Sequence, residues 1–182
     1  RAEEELDRLS REVEKVSKKA REDLEEMRKA LEDVSRRVKE KLRRILEEIK
    51  EAIKDVKRRT NGSSKKLKEI EDLLRKLEED LRDLERRVEE SHERLEREVR
   101  RLLKEVDESS KRLREEVKRL RDEPPSRELI REVEKLIEDH RRRLEEIVET
   151  VRRLVDEHRR RLERIVREAA KLVKDIKREL EK

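Results

Sequence analysis

Several residue types that carry chemistry or packing in most proteins are missing from this chain. Its 182 residues include no Cys, Phe, Tyr or Trp, and only one Gly and two Pro. Without Cys there are no disulfides and no thiol chemistry, and the redox compartment stays undetermined. Without aromatic residues, the core must consist of Leu, Val and Ile with a little Ala and Met.

Long apolar runs are also missing. None approaches the roughly 20 residues needed to span a bilayer, and no signal or transit peptide is visible. We therefore expect a soluble chain that does not enter a membrane. The chain starts at Arg1 without an initiator Met, which we interpret as a processed or tagged product.

Charged residues make up 60% of the chain, and the net charge is only +5. So much charge often indicates disorder, but here the apolar residues recur with helical period, which is typical of long helices. The densest basic runs are Arg141–Arg143 and Arg159–Arg161, and acidic residues flank both. A nucleic-acid site needs a basic face, usually with stacking aromatics or a known motif. We therefore predict a solvated surface and no nucleic-acid binding.

Two breakers divide the chain. In the first, residues 60–64, Asn61 or Gly62 can end a helix, and Ser63 or Ser64 can cap the next. In the second, residues 122–126, Pro124 and Pro125 stop one helix and can open another at its first turn. The pattern predicts helices near 2–60, 64–122 and 125–181. Short loops make neighbours antiparallel, so we expect an all-α, up-down-up, antiparallel three-helix bundle forming one elongated domain over residues 1–182.

The apolar stripes repeat every 18 residues, as in the series Ala2, Ala20, Val38 and Val56. Eighteen residues make five turns of an α-helix, so residues at this spacing point the same way. A seven-residue repeat would impose a left-handed supercoil. The 18-residue repeat imposes almost none, and we expect long, nearly straight helices whose bundle handedness the pattern leaves open.

Polar residues interrupt the stripes at the same interval. Folding the chain at its first breaker places His92 level with Glu32, and the two breakers together offset the first and third helices by about 124 residues. The polar residues then lie within about one helical turn of each other, in two groups drawn from three helices. Serine and imidazole groups can satisfy each other's hydrogen bonds, whereas a buried polar group without a partner costs roughly 1–3 kcal/mol. The sequence thus predicts two polar layers, one of Ser17, Ser109, Ser110 and His140, the other of Ser35, Ser91, His92 and His158.

The alternative is that the serines lie at the surface and bond their own helix. This interpretation suits Ser10 and Thr150, which have no polar residue level with them. A surface position is a weaker explanation for His140 and His158, which replace the apolar residue of the stripe. It is a stronger one for Ser17 and Ser35, which lie one position away from the stripe residues Val16 and Val34.

We expect no catalytic, cofactor-binding or metal-binding residues. A metal site usually needs three or four converging ligands, and each layer has at most two histidines. A Ser-His-acid triad can be assembled on paper, but a solid helical core offers no pocket and no oxyanion donors. There is no glycine-rich phosphate loop.

The chain has no Gln and a single Asn, helices of equal length and a numerically regular repeat. In these respects it resembles de novo designed, parametrically generated helical bundles with buried hydrogen-bond networks, including the histidine networks of pH-responsive designs. The resemblance implies a scaffold without natural biochemical activity, needing no cofactor or partner. An assembly module is the alternative, with a seam for another chain at Leu46, Ile53, Leu73 and Leu103. Binding to a lipid surface is a more distant one.

Overall fold

The three apolar stripes form three long helices in a computed structural model of the chain, which describes residues 2–59 and 64–181. Helix α1 spans Ala2–Arg59, α2 spans Ser64–Arg121 and α3 spans Arg127–Glu181. The described residues contain no strand. The protein is an all-α three-helix bundle, as the stripes predict.

The helix ends follow the charge pattern and the breakers. Helix α1 has three acidic residues in its first turn and three basic residues in its last, which complements the helix dipole. Residues Thr60 to Ser63 of the first breaker lie outside the described residues, and so does the side chain of Ser64. The predicted caps at Asn61, Gly62, Ser63 and Ser64 therefore stay predictions.

The start of α3 differs from the sequence-based expectation. The helix begins at Arg127 rather than near residue 125, so Pro125 does not occupy its first turn. The Ser126 hydroxyl accepts a hydrogen bond from the backbone N–H of Leu129 at 3.1 Å. This is the bond of an N-cap serine, and it moves the helix start beyond both prolines.

The chain forms two compact units. Unit 1 comprises residues Arg1–Ala30 and Leu95–Val155, and unit 2 comprises Leu31–Arg94 and Asp156–Lys182. Each unit contains one segment of each helix. The prediction of a single elongated domain stays a prediction.

Each unit has an aliphatic core to which all three helices contribute. In unit 1, Leu6 and Val13 of α1 pack with Val117 of α2 and Val133 of α3. In unit 2, Leu42 and Ile49 of α1 pack with Leu77 and Val88 of α2 and Leu162 of α3. Among the side chains that the structure describes, no large hydrophobic one is exposed.

Ion pairs show that α1 and α2 run antiparallel within each unit. In unit 1, Asp7, Glu14 and Arg21 pair with Arg121, Arg114 and Asp107. In unit 2, Arg43, Lys50 and Lys57 pair with Glu85, Glu78 and Glu71. Successive partners are seven residues apart, which is about two helical turns. Since such exposed pairs contribute only about 0.2–1 kcal/mol each, the main stabilisation must come from the core.

Candidate functional site

The first predicted polar group lies in unit 1 and is called here the single-histidine layer: Ser17, Ser109, Ser110 and His140. The Ser110 hydroxyl donates to the Ser17 hydroxyl at 2.8 Å, and Ser17 Oγ lies 3.2 Å from His140 Nε2. Ser109 Oγ lies 3.2 Å from His140 Nδ1. Ser17, Ser110 and His140 are buried. Both ring nitrogens of the imidazole therefore have a hydroxyl partner, one from each neighbouring helix.

The second group lies in unit 2 and is called the two-histidine layer: Ser35, Ser91, His92 and His158. Ser35 Oγ lies 2.9 Å from His158 Nε2 and 2.9 Å from His92 Nδ1. Ser91 Oγ lies 2.8 Å from His158 Nδ1. His158 is only 2% exposed and Ser35 only 3%. The four side chains thus form one continuous chain of hydrogen bonds, from Ser91 through His158 and Ser35 to His92.

The two layers use equivalent contacts at positions 18 residues apart. In each, a serine of α1 contacts Nε2 of the α3 histidine, and a serine of α2 contacts Nδ1 of the same ring. They differ in the second α2 residue, which is Ser110 in the single-histidine layer and His92 in the other. The pair is therefore a natural comparison in which one imidazole replaces one hydroxyl.

A third occurrence of the same positions is apolar. Another 18 residues along, in unit 2, the equivalent residues are Ile53 of α1, Leu73 and Leu74 of α2, and Ile176 of α3. Ile53 and Ile176 belong to the core, and Leu74 packs against it. In the alternative of an assembly module, Ile53 and Leu73 belong to the seam for another chain. Ile53 is 2% exposed, so it lies inside the bundle and is not available to such a seam.

The α1 serines are more central than the stripe indicates. The stripe places Val16 and Val34 in the core and the adjacent serines one position away from it. In the structure Ser17 and Ser35 are buried, whereas Val16 and Val34 are only partly buried. The positions Val13, Ser17, Ala20 and Leu24 are separated by four, three and four residues, which is helical spacing. This spacing could have identified the serines as core residues.

The helix alignment differs by three residues from the one inferred from the loops. That alignment places His92 level with Glu32, whereas its hydrogen bond goes to Ser35. In a helix, side chains tilt toward the N-terminus. In antiparallel neighbours the tilts oppose, so contacting residues come later in both helices. In parallel helices the side chains tilt the same way, so no such difference arises. Both α1–α3 contacts span 123 residues, within one residue of the offset of about 124 inferred from the loops.

Burial changes the acid–base properties of both α3 histidines. Burial, with a smaller contribution from the positive charges that His92 and Arg161 can carry, lowers the pKa of His158 to about 4. Burial also lowers the pKa of His140, and the positive charges of Arg114 and Arg143 lower this pKa as well. Both imidazoles are therefore neutral at pH 7, with one N–H donor and one acceptor nitrogen each.

The surface around the layers carries paired charges. All three arginines of the run Arg141–Arg143 form ion pairs, with Glu12, Glu138 and Glu105. Within the described part of the chain, no group of three or more His, Cys, Asp or Glu side chains is arranged to hold a metal ion. None of the described helices carries an apolar stretch long enough to cross a lipid bilayer.

Comparison with known proteins identifies no relative: no protein family, curated protein or solved structure matches this chain.

Proposed function

We propose that this protein is a structural scaffold in which the two polar layers select one packing arrangement of the helices. The observation that carries the proposal is the completeness of the hydrogen bonding. Among the described residues, no serine or histidine side-chain atom of either layer is buried without a partner. Each layer takes its hydrogen-bonding groups from all three helices, so its bonds form only when the three are in register.

A shift of one helix by one turn shows how this selection works. Such a shift moves a side chain by about 5.4 Å, which breaks every hydrogen bond between that helix and its neighbours in the layer. The polar atoms would then be buried without partners, at a cost of about 1–3 kcal/mol each. Purely aliphatic positions such as Leu24 or Ile49 impose no comparable penalty, because one aliphatic residue can replace another in the shifted packing.

We also infer that the chain is of designed origin. Support comes from the 18-residue copying of layer positions on three helices and from the restricted set of residue types. Natural helical bundles use a wider range of side chains in their cores, including aromatic ones. The inferred origin is consistent with a scaffold role that needs no substrate, cofactor or partner.

We propose further that the buried histidines make the stability of the folded protein sensitive to acid. In the unfolded chain a histidine has a pKa near 6.5. In the folded chain the pKa of His158 is about 4. The neutral ring's stabilisation is therefore fully present above about pH 6.5 and is lost progressively as the pH falls toward 4. The difference between the two pKa values corresponds to about 3 kcal/mol for this buried ring. His140 contributes a loss of the same sign.

Urea unfolding at pH 7.5 and pH 4.5 tests this proposal. The control is a variant with His92, His140 and His158 all replaced by Asn, because carboxylates also become protonated over this range. We expect the free energy of unfolding to fall by about 2–3 kcal/mol more in the wild type than in the control. Equal decreases in the two proteins would contradict the proposed acid sensitivity.

The alternative of an assembly module gains no support from the surface. Of its four proposed seam residues, Ile53 lies in the core, and Leu46, Leu73 and Leu103 are partly buried. Because none of the large hydrophobic side chains among the described residues is exposed, the scaffold is the function that we propose.

A further inference from the structure

The Ser35 hydroxyl faces a ring nitrogen on each side. Its oxygen lies 2.9 Å from His92 Nδ1 and 2.9 Å from His158 Nε2. A hydroxyl has one proton to donate, so it can donate to only one of these nitrogens and must accept from the other. When both rings are neutral and both hydrogen bonds are made, one of the two nitrogens that face Ser35 therefore carries a proton and the other does not. The tautomers of His92 and His158 are coupled through this single oxygen.

The two histidines that Ser35 connects differ in their access to water. His92 is half-buried and lines a surface groove of about 420 Å³ between α1 and α2 of unit 2. His158 is 2% exposed, and its two ring nitrogens face Ser35 and Ser91. A proton from water therefore reaches His92 directly, whereas the hydrogen-bonded neighbours of His158 are Ser35, which leads to His92, and the half-buried Ser91.

We propose that His92, Ser35 and His158 form a proton relay that connects water in this groove with the buried imidazole of His158. The relay goes beyond the proposed scaffold role, because it operates within the folded protein and requires no change in stability. It assigns different roles to two histidines of the same layer. His92 exchanges protons with water, and His158 exchanges them through the serine.

The proton transfer preserves every hydrogen bond among His92, Ser35, His158 and Ser91. At the start, His92 Nδ1–H donates to Ser35, the Ser35 hydroxyl donates to His158 Nε2, and His158 Nδ1–H donates to Ser91. A hydronium ion in the groove gives a proton to His92 Nε2 and leaves as water. The Nδ1 proton of His92 then moves to Ser35 Oγ, while the hydroxyl proton of Ser35 moves to His158 Nε2. His92 is again neutral, with its proton on Nε2, and His158 is a cation that donates to both serines.

Charged groups surround the relay from all three helices. His158 faces His92 of α2 and Arg161 of its own helix, and both disfavour a positive charge on its ring. The charged residues of the groove are Glu32, Arg36, Lys39, Glu40 and Arg43 of α1 and Glu89 of α2. Lys39 forms an ion pair with Glu89. The cation on His158 is therefore a short-lived state at neutral pH, and the relay carries exchange rather than storing a proton.

The single-histidine layer provides an internal control. Ser110 takes the place of His92 there, so the Ser17 hydroxyl connects His140 to a second hydroxyl rather than to a second titratable ring. Ser110 is also only 2% exposed. His140 has the same two kinds of serine contact as His158, and the half-buried Ser109 corresponds to Ser91, so a route through that hydroxyl is common to both layers. The difference is that His140 has no second imidazole that could supply it with a proton from water.

Nitrogen-15 NMR of the histidine rings at pH 7.5 tests the relay in the intact chain. In the wild type, we expect the protonated fractions of His92 Nδ1 and His158 Nε2 to sum to one. Exchange of the His158 ring proton with water should be faster than that of His140. In Ser35→Ala, the two fractions should become independent and His158 exchange should slow by about tenfold or more, because the connection to His92 is then lost and the hydroxyl contact with Ser91 remains.

Two further variants keep the test independent of folding defects. His92→Ser gives this layer the residue types of the single-histidine layer, and we expect it to slow His158 exchange to the rate of His140. Ser17→Ala makes the same buried Ser-to-Ala change in the other layer and should leave His158 exchange unchanged. Equal His158 exchange rates in the wild type, Ser35→Ala and His92→Ser would overturn the relay. That result would leave the proposed scaffold intact, since the scaffold is tested by unfolding.

Discussion

At the scale of single residues, the buried histidines are tolerable because each ring nitrogen has a specific hydroxyl partner. A neutral imidazole offers one donor and one acceptor, and a hydroxyl can take either role. In His158, Nε2 contacts the Ser35 hydroxyl and Nδ1 contacts the Ser91 hydroxyl. The cost of burying the ring is thereby offset, as long as both serines remain in place.

The two α1 serines provide a matched pair of substitutions. We expect Ser35→Ala to lower the free energy of unfolding by about 1–3 kcal/mol, because it leaves two imidazole nitrogens without their partner. Ser17→Ala should cost less, since Ser110 Oγ already lies 3.5 Å from His140 Nε2 and can replace the lost hydroxyl. Urea unfolding at pH 7.5 measures both values.

A third serine on α1 is the control for this comparison. Ser10 is half-buried and lies outside both layers, so Ser10→Ala should change the free energy of unfolding by less than about 0.5 kcal/mol. If Ser17→Ala and Ser35→Ala cost the same, the bridging role of Ser35 between two imidazoles has no energetic consequence, and this explanation is wrong.

At the scale of helices, the chain's breakers predict the ends well, because they act locally. Expected and observed bounds differ by at most two residues, and the largest difference is at the start of α3. There the paired prolines indicate a boundary but not its position. The side chain of Ser126 determines the position, by accepting the N–H of Leu129.

Removing this cap tests its contribution. Ser126→Ala should lower the free energy of unfolding by about 1 kcal/mol, the usual value for an N-cap serine. Thr150→Ala is the comparison in the same helix and the same unit. The Thr150 hydroxyl donates to the carbonyl of Glu146 four residues earlier, a bond that adds little to a helix.

Thermal unfolding followed by circular dichroism measures both variants. We expect a clear decrease in Tm for Ser126→Ala and a change within error for Thr150→Ala. A Tm for Ser126→Ala equal to that of the wild type would mean that the prolines alone define the start of α3.

Interhelical contacts are less predictable than helix ends. The sequence groups the residues of each layer to within about one turn, but His92 bonds to Ser35 rather than to a residue level with Glu32. The difference arises from the tilt of side chains toward the helix N-terminus. Likewise, the periodicity places Val34 in the core and Ser35 beside it, because it uses hydrophobicity and contains no information on which polar group has a partner.

At the scale of the whole molecule, the core repeats one set of positions three times and fills it in three ways. The occupants are serines with one histidine, serines with two histidines, and isoleucine with leucine. The third set is evidence that aliphatic side chains fit these positions. The chain therefore contains a template for converting both polar layers into apolar ones.

The last prediction uses this template. In an all-aliphatic variant, the α1 serines and α3 histidines of both layers become Ile, as in Ile53 and Ile176, and the four α2 residues become Leu, as in Leu73 and Leu74. Well-packed apolar replacements of buried polar groups are often neutral or stabilising. We therefore expect equal or higher resistance to urea at pH 7.5, together with the loss of the extra acid sensitivity.

The same variant should lose uniqueness of packing, because no polar group then penalises a helix shifted by one turn. A two-dimensional ¹H–¹⁵N spectrum should show broadened or multiple amide signals where the wild type gives one set. Light scattering must still report a 22.4 kDa species, so that assembly is not the cause. A variant with only the single-histidine layer replaced should keep one set of signals in unit 2, where the other layer remains. Sharp single signals throughout the all-aliphatic variant would show that aliphatic packing and short loops alone select the register, and the layers would lose their proposed role.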